Sequence, residues 1–225
     1  VEVPPGTKKT FKYMFPGIAN ISDIMHQGDR YRENNKESLY SITATDVSDI
    51  ISQIVLSMDG VTPASDIVDM TAGIGGDTRT LSRVFQHVTA IEYDSVRYGA
   101  LTRHIACLGL QNVELINGDC VSIVTAMSQR CRKFNAPRSG YDVAFIDPPW
   151  GYGGLYKQHE LIPLLINERD IDAIIVELHP ILPRIVMKVP FNFDIDKFDI
   201  AVQAFYTITK YMLDDNIMLI TMIRV

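Results

Sequence analysis

Asp66-Ile67-Val68-Asp69-Met70-Thr71-Ala72-Gly73-Ile74-Gly75-Gly76-Asp77-Thr78 holds the transition that decides the fold. Its first five residues hold the apolar Ile67, Val68 and Met70, two of them β-branched, as in a short buried strand, and its glycines then free the backbone for a turn. From Asp77 to Gln86 an amphipathic helix is expected, with Leu81, Val84 and Phe85 on one side. Strand, glycine turn and helix form one unit of a parallel sheet, and the unit recurs. Val88 to Glu92 reads as a second strand, Ser95 to Leu108 as a helix stopped by Gly109, and Asn112 to Ile116 as a third strand. A helix from about Val121 and a strand from Tyr141 to Ile146 come next. Sheets built this way bind ligands at the carboxyl ends of their strands.

The end of the chain departs from this alternation. Arg184 to Val189 reads as a fifth strand. After a short helix, two more strands, about Phe205 to Tyr211 and Ile217 to Ile223, are separated only by Leu213-Asp214-Asp215-Asn216. That connection is too short for a crossover helix, so an antiparallel hairpin is expected. Upstream, Thr45 to Met58 reads as an amphipathic helix through Ile50, Ile51, Ile54, Val55 and Met58. The expected class is therefore α/β: a mostly parallel seven-stranded sheet ending in an antiparallel hairpin, with helices on both faces. This order resembles the Rossmann-like S-adenosylmethionine-dependent methyltransferases. The likeness divides the chain into an N-terminal, substrate-closing extension over 1–44 and a methyltransferase domain over 45–225.

Composition narrows the function. With 225 residues, 47% of them hydrophobic, the chain can bury a full core. A net charge of −6 argues against a protein that neutralises many phosphates, so any nucleic-acid footprint is expected to be small. Lys8, Lys9 and Lys12, interleaved with Phe11 and Tyr13, read as a solvated tail in preference to an RNA-touching arm. No apolar stretch approaches the ~18 residues of a membrane span and no signal-peptide core opens the chain, so an intracellular protein is expected; a monomer is expected as well. Cys107, Cys120 and Cys131 have neither zinc-site nor disulfide spacing, and no metal is expected.

A dinucleotide fingerprint would need glycine at position 78, where Thr78 stands. Glu92, closing the second strand, suits ribose hydroxyls, and Asp119, in the Asn117-Gly118-Asp119-Cys120 turn, suits an adenine amino group. Asp69, Thr71, Ala72, Gly73, Gly75, Glu92, Asp119 and Cys120 are thus the candidates for holding S-adenosylmethionine and its product S-adenosylhomocysteine. Asp77 and Asp94 read as helix starts.

Phe145-Ile146-Asp147-Pro148-Pro149-Trp150-Gly151 ends an apolar run in an acid, two prolines and the only tryptophan. Proline cannot donate to a sheet ladder, so the strand stops there and presents the turn at its end. The exocyclic amine of a nucleobase is a poor nucleophile, its lone pair being delocalised into the ring, and its N–H groups must be held for in-line attack. Asp147 can accept one N–H, the Pro148 carbonyl can accept another, and Trp150 offers a stacking face worth about 1–3 kcal/mol. The competing reading packs Trp150 into the core. Guanine N2 and adenine N6 both fit such a clamp.

Two motifs resemble the trimethylguanosine synthase family, which methylates N2 of 7-methylguanosine caps: Ile67 to Thr78, and Asp147-Pro148-Pro149-Trp150-Gly151. Leu39-Tyr40-Ser41-Ile42-Thr43 is similar to the family's aromatic-Ser-Val-Thr-Pro segment, and Ile185 to Asn192 and the terminal hairpin keep the family's order. The resemblance implies that Trp150 stacks on the cationic base, that Asp147 and Pro148 hold the amine, and that Ser41 and Thr43 close over the methionine end. Pro149, Tyr152 and Asn192 join as candidate substrate contacts, with both Tyr152 and Tyr156 open between pocket wall and loop. Asp147 stands where the family has serine, Ala44 where it has proline, and Gly151-Tyr152-Gly153-Gly154 where it has Gly-Gly-Pro. His159 and His179 are given no catalytic role. The implied partner is capped RNA or a cap analogue, acted on in nucleus, cytoplasm or a viral setting. Adenine N6 methylation and a non-catalytic cap-binding subunit are the alternatives.

Overall fold

The computed structural model describes residues 15–24, 42–133, 140–151 and 160–225, without the side chains of residues 21, 132 and 133. Ser41, Tyr152, Tyr156, His159 and the lysines at 8, 9 and 12 lie outside the described residues.

In chain order the elements are α1 (Thr45–Ser57), β1 (Asp66–Asp69), α2 (Gly76–Val84), β2 (His87–Glu92), α3 (Ser95–Cys107), β3 (Val113–Asn117), α4 (Cys120–Lys133) and β4 (Val143–Ile146). Then come β5 (Leu165–Ile166), β6 (Arg169–Asp170), α5 (Ile171–Leu178), β7 (Arg184–Pro190), α6 (Ile195–Val202), β8 (Tyr206–Met212) and β9 (Ile217–Arg224). Seven strands form one sheet in the order β3-β2-β1-β4-β7-β9-β8. β2 and β3 are parallel, as are β1 with β4 and β4 with β7, whereas β9 runs antiparallel to both β7 and β8. This is the expected Rossmann-like architecture, closing hairpin included.

By packing, the chain divides into two compact units, one of residues 1–65 and 72–119, the other of 66–71 and 120–225. In the first unit, Phe15, Ile18, Ile24, Ile42, Ile74 and Ala100 form a buried cluster. Residues 15–24 are thus part of a core. Phe15 meets the His104 ring edge-on at 5.6 Å, and Arg103 Nε donates to the Ile24 carbonyl at 2.9 Å. A second cluster joins Ala72, Ala90, Leu101 and Ile105. Asp94 caps α3 as expected, accepting from the Val96 and Arg97 N–H groups. Asp77 does not start its helix. Gly75 takes the N-cap position of α2 at φ 93°, where a Cβ would come within 2.8 Å of Leu101 Cδ1. Asp77 lies inside the first turn and ties α1 to α2, accepting from Thr43 Oγ1 at 2.6 Å and Ser48 Oγ at 2.9 Å. α2 is also shorter than its periodicity predicts, because Phe85 turns to an extended conformation.

In the second unit β1, β4 and β7 are almost wholly buried, which explains why they read as continuous apolar runs and not as alternating ones. One element escaped the sequence reading: the hairpin of β5 and β6, whose two loop residues Asn167 and Glu168 both have positive φ. Tight two-residue turns usually announce themselves by glycine, and here a glutamate takes the strained position.

Candidate active site

In the first unit the glycine turn and the end of β2 are tied through Glu92. Its Oε2 accepts the Gly73 N–H at 2.9 Å. Its Oε1 accepts the Asp94 N–H at 2.8 Å and lies 3.0 Å from both Nε and Nη2 of Arg97. Oε1 is therefore crowded, and Oε2 is the oxygen with acceptor capacity left for a ribose hydroxyl. Burial raises the Glu92 carboxyl above the usual range, while Arg97 and the two backbone N–H groups pull it back. Gly73 has φ 56° and nothing within 4 Å of where a Cβ would stand, so the turn faces open space. A half-buried glycine turn facing open space beside an acceptor carboxylate suits the ribose and methionine parts of S-adenosylmethionine.

The remaining candidates of this unit divide by what already engages them. The Ala72 N–H is committed to the Ile91 carbonyl, and the Gly75 N–H to the Ala72 carbonyl. Thr43 is buried and donates its hydroxyl to Asp77, so its first role is the clip between helices. Asp119 is half-buried in the turn after β3, where Gly118 N–H bonds to the Glu92 carbonyl and Asn117 Nδ2 donates to the Glu92 and Tyr93 carbonyls. Below the turn, His104 is fully buried with Nδ1 2.7 Å from the Ile74 carbonyl. Burial pushes this histidine down to about 4, with Arg79 adding to the shift and the Ile74 carbonyl opposing it. A neutral imidazole that donates through Nδ1 thus buttresses the glycine turn.

In the second unit the parallel pairing of β1, β4 and β7 brings Asp69, Thr71, Asp147 and Lys188 toward one sheet edge. Asp69 is buried at 1% exposure. The Asp147 N–H donates to Thr71 Oγ1 at 2.7 Å, so the hydroxyl after β1 holds the backbone of the acid-proline turn. Pro148 is buried, Pro149 exposed and Trp150 half-buried. Cys120 is buried at the start of α4, and Asn192 is buried after β7 with its Nδ2 donating to the Glu160 carbonyl. Sequence reasoning missed Lys188. It is 2% exposed, its Nζ lies 2.5 Å from Asp147 Oδ2, and the same Nζ sits 5.8 Å from the centre of the Trp150 ring. The one signal in the sequence is a lysine within the apolar run Ile185 to Val189. Among the described residues no cluster of His, Cys, Asp and Glu could hold a metal, and no helix is long and apolar enough to cross a membrane.

Comparison with known proteins places this geometry in a lineage. The chain is 32% identical over 149 residues to "Uncharacterized protein L320" of Acanthamoeba polyphaga mimivirus, a match covering 64% of this chain and 53% of that protein. The chain thus spans about half the length of that curated relative. Among solved structures, the fold is shared with a human methyltransferase 10 domain containing protein (TM-score 0.58, 11% identity, 81% of this chain and 84% of that one). It is shared too with TrmN from Thermus thermophilus (TM-score 0.53, 14% identity, 88% and 53%). Residues 64–218, which hold the glycine turn, Glu92, the Asp147-to-Trp150 turn and Lys188, match the family described as RNA cap guanine-N2 methyltransferase. The chain belongs to the RNA cap guanine-N2 methyltransferase family.

Proposed function

We propose that this protein transfers a methyl group from S-adenosylmethionine to the exocyclic N2 amine of a 7-methylguanosine RNA cap. The observation that carries the reading is the Asp147-Pro148-Pro149-Trp150 turn, held through its backbone by Thr71 and through its acid by Lys188. The match to cap guanine-N2 methyltransferases over residues 64–218 supports the choice of amine.

When bound, S-adenosylmethionine supplies an electrophilic methyl on a sulfonium. Gly73, Glu92 and Asp119 would hold its ribose and adenine, with Asp69, Thr71, Ala72, Gly75 and Cys120 around them and the Ser41-to-Thr43 segment closing over the methionine end. Asp147 and the Pro148 carbonyl would take the N–H groups so that the amine lone pair faces the methyl, and Trp150 would stack on the base, with Pro149, Tyr152 and Asn192 beside it. The chemistry so supplied would be transfer of that methyl to the amine nitrogen, the C–S electron pair staying with sulfur, and the surplus proton of the nitrogen would pass to water. An intracellular setting, nuclear, cytoplasmic or viral, agrees with a relative from a giant virus.

One observation favours a second reading. A lysine already near the Trp150 face lessens what the indole gains from a cationic base, which suits a neutral adenine N6 amine better. Labelled methyl transfer to 7-methylguanosine cap dinucleotide, unmethylated cap dinucleotide and uncapped adenine-containing RNA separates the two. Label confined to the 7-methylated cap, recovered as N2-methylguanosine, is expected. Label in the uncapped RNA would replace the cap reading with the adenine one, and no transfer at all would favour a binding subunit.

A further inference from the structure

Lys188 stands between Met187 and Val189 in β7, all three at 2% exposure or less. An ammonium in such surroundings costs several kcal/mol unless its charge is met. Asp147 meets it at 2.5 Å, and the pair is asymmetric: the lysine side chain is 3% exposed, the aspartate side chain 22%. The cation is hidden and the acid is partly exposed, open to a ligand on that side. Since the acid's backbone N–H is held by Thr71 as well, the residue is held at two points, one on its main chain and one on its carboxylate.

We propose that Lys188 is a positioning residue for amine methylation: it holds Asp147 as a charged, fixed acceptor for one substrate N–H, so that the acid orients the amine without taking its proton. This rests on the proposed transfer to an amine and says how that transfer is arranged. Were Asp147 to take the proton, a buried ammonium would be left facing a neutral carboxyl, and the low-dielectric interior penalises that state. Orientation and deprotonation are therefore separate tasks here. The pair presents a full carboxylate to the substrate N–H while carrying no net charge of its own.

The test compares the wild-type chain with Lys188→Met, Lys188→Arg and the double variant Asp147→Asn/Lys188→Met in single-turnover methyl transfer across about pH 5 to 9. Emission from Trp150, the only tryptophan, tracks base binding apart from chemistry. Lys188→Met should lower the single-turnover rate constant about 100-fold, leave base affinity within a few-fold, and move the acid limb of the pH profile upward, since a carboxylate deprived of its cation protonates more readily. Lys188→Arg should keep most of the activity. The double variant should recover at least about tenfold over Lys188→Met and lose the acid limb, because the asparagine carbonyl accepts an N–H without titrating.

An unchanged single-turnover rate constant and acid limb in Lys188→Met would overturn the proposal, as would a double variant that binds base yet transfers no methyl. Should Lys188→Met fail to fold, the double variant, neutral at both positions, carries the comparison alone. A wild type that transfers methyl to no amine would instead sink the proposed function, and this inference with it.

Discussion

Gly73 donates its backbone N–H to Glu92 Oε2 at 2.9 Å, so the carboxylate expected to meet the cofactor's ribose also sets the shape of the glycine turn. Glu92→Ala removes both functions and leaves Arg97 without its partner. Affinity for S-adenosylhomocysteine, measured by calorimetry, should fall by about 30-fold or more, roughly 2 kcal/mol, the size of one lost hydrogen bond to a charged group. Because burial raises the Glu92 carboxyl, affinity in the wild type should start to fall on acidification at a higher pH than an exposed glutamate would give. Affinity unchanged in the variant would remove Glu92 from the cofactor's surroundings.

Asp147→Ser brings the turn to the residue found in the trimethylguanosine synthase family, yet here it strands Lys188. The single substitution should cost on the order of 3 kcal/mol of stability, the usual penalty for leaving a buried charge without its partner. Adding Lys188→Met should restore most of the loss in urea unfolding. Additive, uncoupled effects of the two substitutions would mean that the ion pair contributes nothing.

The histidine beneath the glycine turn makes stability depend on pH in a predictable direction. His104 is pushed down to about 4 from 6.5, so as pH falls the unfolded chain binds the proton first. Its contribution is fully present above about pH 6.5 and is lost between there and pH 4, a total of about 3 kcal/mol. Urea unfolding at several pH values across that window should reveal the slope in the wild type and its absence in His104→Gln.

Asp77→Ala should destabilise by about 2 kcal/mol or more, since two buried hydroxyls, on Thr43 and Ser48, lose their acceptor. Asp77→Asn, which keeps one acceptor, should cost less. Thermal unfolding of the two variants decides whether the clip between α1 and α2 is as strong as its distances imply.

Much of this architecture is written locally. The runs that became β1 to β4 are short, β-branched and bounded by glycine, proline or acid, and the four residues from Leu213 to Asn216 permit only a hairpin. The acid-proline turn was legible for the same reason: proline's missing N–H ends a strand whatever surrounds it. Lys188 was not legible, because its partner lies in the turn after a different strand, β4, and its neighbours in sequence are core residues. Glu92 was found for its position at a strand end, but its bonds to Gly73 and Arg97 depend on how the turn folds back. Asp77 was misread as a helix start because an acid after glycines is a common cap, and only packing against α1 reveals its other use.

The placement of residues 15–24 in the core with α3 bears on how the chain acquires its structure. Ile24 and Arg103 are 79 positions apart, so a segment made early on the ribosome has to wait for one made much later. Until α3 emerges, Phe15, Ile18 and Ile24 stay exposed to water and to other nascent chains. The final seating of this segment closes a long loop, a slow step by entropy, and refolding should show a late phase in which the core around Phe15 and His104 becomes protected from hydrogen exchange after the β7–β9 strands already are.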